Sequence, residues 1–350
     1  MNTVDKLISW TTHPNSDIFK LPTSSKPISK IPFNVNSHFI NDYFYPISLN
    51  YLTPLIISFI YFTSFHLLNK LILKRQINQY KSSNNGKLPS NSTPKLLKPA
   101  PFSIANWKSF KLFVTLHNVL LCIYSIWTFI GMLDSIYKNI NDLFPINNIT
   151  ITNNNNNFST SDKFWQTICD VDNGIWYNKN TKGLSFYSYL FYISKYYEII
   201  DTLIIILKGK KTSLLQIYHH SGAILSMWSG TRFSSPPIWI FVVFNSFIHS
   251  IMYFYYFLSC LNIKIPIHMK KSLTILQILQ FIIGGSLAIT HLYINYFDLL
   301  NGSYKSCIGT SEDALAIFIN VIYLAPLTLL FTAFYIDSYR KKVINSKKVN

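Results

Sequence analysis

Three histidines carry the most chemistry in this chain: the adjacent pair His219 and His220, and His249 some thirty residues on. A neutral imidazole in a dry site can attack a thioester or take a proton. Near them in sequence stand Lys195, Glu198 and Asp201, three residues apart, the spacing that puts neighbours on adjoining parts of one helix face. Gln216 precedes the histidine pair, and Asn245, His249 and Tyr253 follow one another at intervals of four. Thr274, Gln277 and Gln280 repeat at intervals of three. Amides of this kind can hold an oxyanion or enolate where water is excluded.

These polar stripes lie inside apolar segments. The 350 residues are 49% hydrophobic, 16% aromatic and only 13% charged, about half the charged share of a soluble domain. Seven segments have the length and apolarity to cross a bilayer: roughly 49–72, 111–133, 186–206, 212–229, 238–259, 272–295 and 314–336, the fourth being the least apolar. Ionisable groups in such segments are costly, so several together call for partners. An internal salt bridge neutralising Lys195 accounts for part of the set. A net charge of +17, from 31 Lys and Arg against 14 Asp and Glu, raises nucleic acid as a partner. The basic residues fall between apolar blocks rather than along one face, which excludes that class.

Lys and Arg concentrate in the loops 73–110, 207–211 and 264–271 and in the tail beyond Arg340, which places these on the cytosolic side and the N-terminus across the membrane. The chain divides into a polar lumenal N-terminal segment (1–45), a seven-helix membrane domain (46–339) and a basic cytosolic tail (340–350), with disordered inserts near 81–98 and 147–161. No cleavable signal peptide is legible in the first 45 residues. Sequons at Asn148, Asn157 and Asn301 fall on the lumenal side, while that at Asn91 is cytosolic. Cys169 and Cys307 are both lumenal, where a disulfide or two free thiols are equally compatible with the sequence. Lys347 and Lys348, third and fourth from the C-terminus, match a dilysine retrieval signal for the endoplasmic reticulum, against the plainer reading of a solvated basic tail.

At about 1.5 Å per residue, Asp201 lies about 10 Å from Lys208, His219 about 12 Å from Lys211, and Gln277 about 9 Å from Lys271. The stripes therefore meet at one level, forming a polar chamber open to the cytosol and ringed by Lys208, Lys210, Lys211, Lys270 and Lys271. An anionic head with a long hydrocarbon tail, such as an acyl-CoA, suits that space.

The four boxes Lys195–Thr202, Gln216–His220, Asn245–Tyr256 and Thr274–Phe281 resemble the KxxExxDT, histidine-box, NxxHxxMYxYY and TxxQxxQF motifs of the very-long-chain fatty acid elongase family. The first histidine-box position, usually His, is here Gln216. The likeness covers roughly residues 45–348. It implies an all-α fold of seven transmembrane helices around an acyl-chain tunnel open to the cytosol, in the endoplasmic reticulum membrane. It also implies condensation of an acyl-CoA with malonyl-CoA to a 3-ketoacyl-CoA, CO2 and CoA. Carried over to this chain, His219 is the nucleophile and His249 assists decarboxylation or holds the enolate. His220, Asn245, Gln277 and Gln280 position groups, and Glu198 and Asp201 hold Lys195 and the imidazoles. Gln216, Tyr253, Lys208 and Lys211 join Lys195 in binding substrate. No metal or other cofactor is expected; the partners are acyl-CoA, malonyl-CoA, membrane lipid and other enzymes of the elongation cycle, with homodimer formation left open.

Two other classes share parts of this pattern. A histidine-box di-iron desaturase or hydroxylase needs about eight ligating His; of the nine here, His13, His38 and His268 lie outside the spans. A seven-span receptor or transporter would use the polar stripe as a binding or ion path, but does not ordinarily pair a His–His dipeptide with a Lys–Glu–Asp helix. Ala288, Tyr293 and Trp176 are the candidates for the end of an acyl tunnel.

Overall fold

The structure, a computed structural model, describes residues 6–20, 22, 27–28, 31–32, 36–85, 97–143, 158–172, 174–177, 183–298 and 300–340. A long apolar run satisfies its own backbone in lipid as an α-helix, without the closed barrel that strands would need. The apolar segments accordingly form α2 (Leu52–Ser83), α3 (Lys108–Leu143), α8 (Ile238–Cys260), α9 (Ile267–Thr290) and α10 (Ser311–Tyr335). Among the described residues these five, α9 and α10 with their short extensions, are the helices long and apolar enough to cross a membrane.

The other two expected spans take a different form. The third is two helices, α5 (Gly183–Tyr197) and α6 (Ile199–Leu207), meeting at Glu198. There the amide of Asp201 reaches only three residues back, to the Glu198 carbonyl at 3.1 Å, a local tightening that re-aims the acidic side chains. The fourth is α7 (Leu214–Arg232), capped by Ser213, whose hydroxyl accepts from the Gln216 amide. A short α1 (Tyr45–Leu49) precedes α2. In the packed bundle α3 lies along α8, while α7 touches α2, α5 and α10, and α9 fits between α8 and α10.

The all-α expectation fails at one end. Ile8–Trp10 (β1), Ile294–Asp298 (β2) and Ser303–Ser306 (β3) form an antiparallel sheet in the order β1-β2-β3, with Ile8 opposite Tyr296 and Asn295 opposite Ser306. The N-terminal segment is therefore not simply polar: Leu7 and Ile8 bury against Ile294 and Cys307. Helix α4 (Thr160–Cys169) covers β2, its Gln166 amide donating to the Phe297 carbonyl at 2.7 Å. A bond between Cys169 and Cys307 ties the end of α4 to the residue that follows β3, across 138 residues of sequence. Asp298 closes the hairpin, accepting from the Leu300 amide (2.9 Å), the Asn301 side chain (2.6 Å) and Lys305 Nζ (2.5 Å). The Lys305 ammonium, then Asn301, hold its carboxyl well below the usual carboxylate range.

Of the two expected inserts, residues 81–83 are the last of α2, and Thr160 and Ser161 already belong to α4. Residues 86–96 and 144–157, with sequons Asn91, Asn148 and Asn157, lie outside the described residues, as do Lys347 and Lys348.

Candidate active site

The ends of α6, α8 and α10 and the starts of α7 and α9 gather at the pole opposite the sheet, as alternating directions require. They enclose a cavity of about 500 Å³ whose lining includes Asp201, Gln216, His219, His220, Asn245, His249, Tyr253, Gln277 and Gln280, with Lys208 at its exposed rim. A second, narrow space of about 40 Å³ shares His219, Asn245 and Gln280 with it and continues between Phe191, Met227, Ile240 and Leu324. Lys211 is exposed and does not line either space. Lys195 reaches the narrow one.

Lys195 and Glu198 form a buried ion pair, Nζ to Oε1 at 2.7 Å, with both side chains only 4% exposed. The same ammonium donates to Asn245 Oδ1 at 3.1 Å and sits 3.9 Å from the Phe191 ring centre. Glu198 Oε1 also accepts from the Ser194 hydroxyl (3.4 Å) and lies 3.9 Å from His249 Nδ1. One carboxylate thus couples the α5–α6 junction to α8. Because Lys195 takes the oxygen of Asn245, the amide nitrogen is the end left to donate.

His220 is buried and held by its own helix: the Gln216 amide nitrogen donates to His220 Nε2 at 2.9 Å, and Gln216 also reaches Thr202 Oγ1 at 3.4 Å. The glutamine that replaces the usual histidine therefore orients the second of the pair. His219 is half-buried, its Nδ1 2.9 Å from the Tyr323 hydroxyl on α10, with Phe331 edge-on to its ring. Gln277 donates weakly to Met252 Sδ at 3.6 Å, and Gln280 Oε1 is buried without a hydrogen-bond partner.

Asp201 is held from two other helices: Oδ1 meets His117 Nε2 at 2.8 Å, and Oδ2 accepts from the Tyr253 hydroxyl at 2.6 Å. His117 and Tyr323 were not singled out in the sequence. Each lies in an apolar segment with few other polar groups; the pair His117-Asn118 was the available signal on α3, and nothing distinguished Tyr323 from the chain's 23 tyrosines. Among the described residues no group of three or more His, Cys, Asp and Glu is arranged to hold a metal.

At the mouth, Gly209 turns the chain after α6 with φ at +69°. A Cβ there would lie 2.1 Å from the Ala100 carbonyl carbon, so glycine allows the strap at 100–102 to bond the α6 end, Ala100 N to Gly209 O at 3.1 Å and Phe102 N to Leu207 O at 3.0 Å.

The sequence profile of the GNS1/SUR4 family, ELO, matches residues 46–347. Over 251 residues the chain is 31% identical to fatty acid elongase A of Dictyostelium discoideum, covering 70% of this chain and 79% of that protein. It is 33% identical to fatty acid elongase sre1 of the same organism over 168 residues, 48% of this chain and 58% of the other. Fatty acid elongase 2 of Trypanosoma brucei brucei is 28% identical over 182 residues, 52% and 65% of the two chains.

Proposed function

From the premise that this chain belongs to the GNS1/SUR4 family, whose relatives include fatty acid elongases, we propose that it condenses a long-chain acyl-CoA with malonyl-CoA. The products are a 3-ketoacyl-CoA, CO2 and CoA. The observation that carries this reading is the shared wall of the two spaces: His219 faces both the larger cavity, where the polar side chains gather and which opens past Lys208, and a narrow apolar slot. A thioester whose CoA head rests at the rim and whose tail enters the slot would present its carbonyl to that imidazole.

In this reading His219 Nε2 attacks the acyl carbonyl, forming an acyl-imidazole that keeps its proton on Nδ1 and is cationic, and expelling the CoA thiolate, which takes up a proton at the mouth. Malonyl-CoA then occupies the same cavity and loses CO2. Its enolate carbon attacks the acyl carbonyl, the new C–C bond forms, and the imidazole leaves. The Asn245 amide, with its oxygen tied to Lys195, donates to the developing oxyanion. His249, steered by Glu198, and the uncommitted Gln280 serve the enolate. No metal or cofactor takes part.

We further propose seven spans, counting α5 with α6 as one of about 36 Å and α7 as one of about 28 Å at 1.5 Å per residue. The packing of α7 among α2, α5 and α10 supports the count. The site opens to the cytosol and the sheet faces the lumen of the endoplasmic reticulum, as the loop charges and the cystine favour. The lumenal sequons make it a glycoprotein. The 3-keto product requires reduction and dehydration by partner enzymes; a homodimer is compatible with this arrangement.

Microsomes expressing the chain, given labelled malonyl-CoA and a panel of acyl-CoAs, should accumulate 3-ketoacyl-CoA two carbons longer than the acceptor, with no added metal. Label in CoA thioesters absent above the empty-vector background across the whole panel would refute the reading.

A further inference from the structure

Tyr323 meets His219 twice. Its hydroxyl donates to the His219 backbone carbonyl at 3.1 Å and lies 2.9 Å from His219 Nδ1. A phenol has one proton. If that proton goes to Nδ1, the contact to the carbonyl is left as two oxygens facing one another. If it goes to the carbonyl, the imidazole can place its own proton on Nδ1 and donate to the phenolic oxygen, and both contacts become hydrogen bonds. Only the second assignment uses both, and it leaves Nε2 with a bare lone pair.

The hydroxyl is placed by the packing of its ring, which with Tyr218 lies against the cluster of Phe281, Leu324, Leu327 and Phe331. The Tyr323 ring lies against α7 over Gly222, where an added Cβ would come within 2.3 Å of Cε2. It stacks on Tyr218 at 5.8 Å, and the Tyr218 hydroxyl donates to the Tyr323 carbonyl at 3.2 Å. Gly222 and Tyr218 sit three residues after and one before His219 on the same helix, so α7 builds a seat for this ring beside the histidine. Phe331 closes the other side of the imidazole edge-on, at 6.3 Å.

We infer that Tyr323 is a positioning residue that holds His219 in the Nδ1–H tautomer and leaves Nε2 as the nitrogen that attacks. This rests on the reading of His219 as the acyl acceptor. A tautomer fixed by a neighbouring hydrogen bond is what separates a competent imidazole nucleophile from one whose lone pair points into the protein.

Two measurements test it. In the unmodified protein carrying 15N-histidine, with the His219 signal assigned by its loss in His219→Gln, the ring should show a proton on Nδ1 and a bare Nε2. A proton on Nε2 overturns the inference whatever the activity. Tyr323→Phe keeps the ring in its seat and removes the hydroxyl; it should lower kcat about 10- to 100-fold, with KM for acyl-CoA within about twofold and the melting temperature little changed. Turnover at the unmodified rate, or a rate loss matched by an equal loss of folded protein, contradicts it. If the unmodified protein makes no 3-ketoacyl-CoA at all, the proposed function fails, and the tautomer assignment is still decided by the spectrum.

Discussion

Asp201 Oδ1 lies 2.8 Å from His117 Nε2, joining α6 to α3 beneath the cavity, with the His117 side chain fully buried and that of Asp201 16% exposed. Tyr253 of α8 completes the junction through Oδ2. The three helices are thereby fixed by one carboxylate, at the level where His249 stands one turn before Tyr253.

His117→Phe would keep the packed volume but leave Asp201 Oδ1 without its donor. Losing a hydrogen bond to a charged group costs about 1.5–3 kcal/mol, and the partial exposure of Asp201 sets the expectation at the low end. Thermal melting in detergent should fall by several degrees, and turnover should drop more than folded protein does.

Lys195→Met strands Glu198 in an apolar setting and should cost about 3–5 kcal/mol. The double change Lys195→Met with Glu198→Gln removes both charges and should regain much of that stability. It should not regain turnover, since Asn245 loses the donor that fixes its amide. Expression level and melting temperature read the first effect, labelled malonyl-CoA incorporation the second.

Met227 and Ile240 are among the side chains lining the narrow space proposed to take the acyl tail. Ala288 and Trp176 are buried in the main core, Tyr293 packs against it, and none of the three lines either space. Met227→Ala should enlarge the slot and shift products longer by about one two-carbon addition, at a stability cost of about 2–3 kcal/mol. Ala288→Val should destabilise without moving product length. Chain-length analysis of the 3-keto products decides.

Asp298 supplies a pH signature at the sheet. Its carboxyl titrates lower folded than unfolded, so its contribution is complete above the unfolded value of about 3.9 and is lost progressively as pH falls below it. Wild-type melting temperature should decline as pH falls below about 4 more steeply than that of Asp298→Asn. Parallel profiles would show that the Lys305 and Asn301 bonds contribute nothing.

Most of the bundle and half of the site could be read beforehand, for identifiable reasons. Long apolar runs satisfy their own backbone in lipid as helices, so α2, α3, α8, α9 and α10 fall where expected. Polar residues repeating every three or four positions share a face, which brought Lys195 to Glu198, Gln216 to His220 and His249 toward Tyr253. The tightening at Glu198 escaped notice because it changes one residue's hydrogen bonding and leaves the hydropathy intact. The sheet was invisible: Ile8–Trp10 is too short for alternation to register, and its partner Ile294–Asp298 is nearly three hundred residues away. His117 and Tyr323 were not legible because each meets its partner across helices, His117 on α3 with Asp201 on α6 and Tyr323 on α10 with His219 on α7, where local spacing carries no signal.

In the proposed reaction His219 Nε2 is the atom that accepts the acyl chain. Purified protein incubated with a long-chain acyl-CoA and no malonyl-CoA, then digested under mildly acidic conditions, should yield the peptide bearing His219 with the mass of the acyl group added. Malonyl-CoA should discharge that adduct as 3-ketoacyl-CoA, and His219→Ala should abolish it. Discharge-competent acyl protein in the His219→Ala variant, or an adduct on any other side chain that turns over at the steady-state rate, would contradict the account.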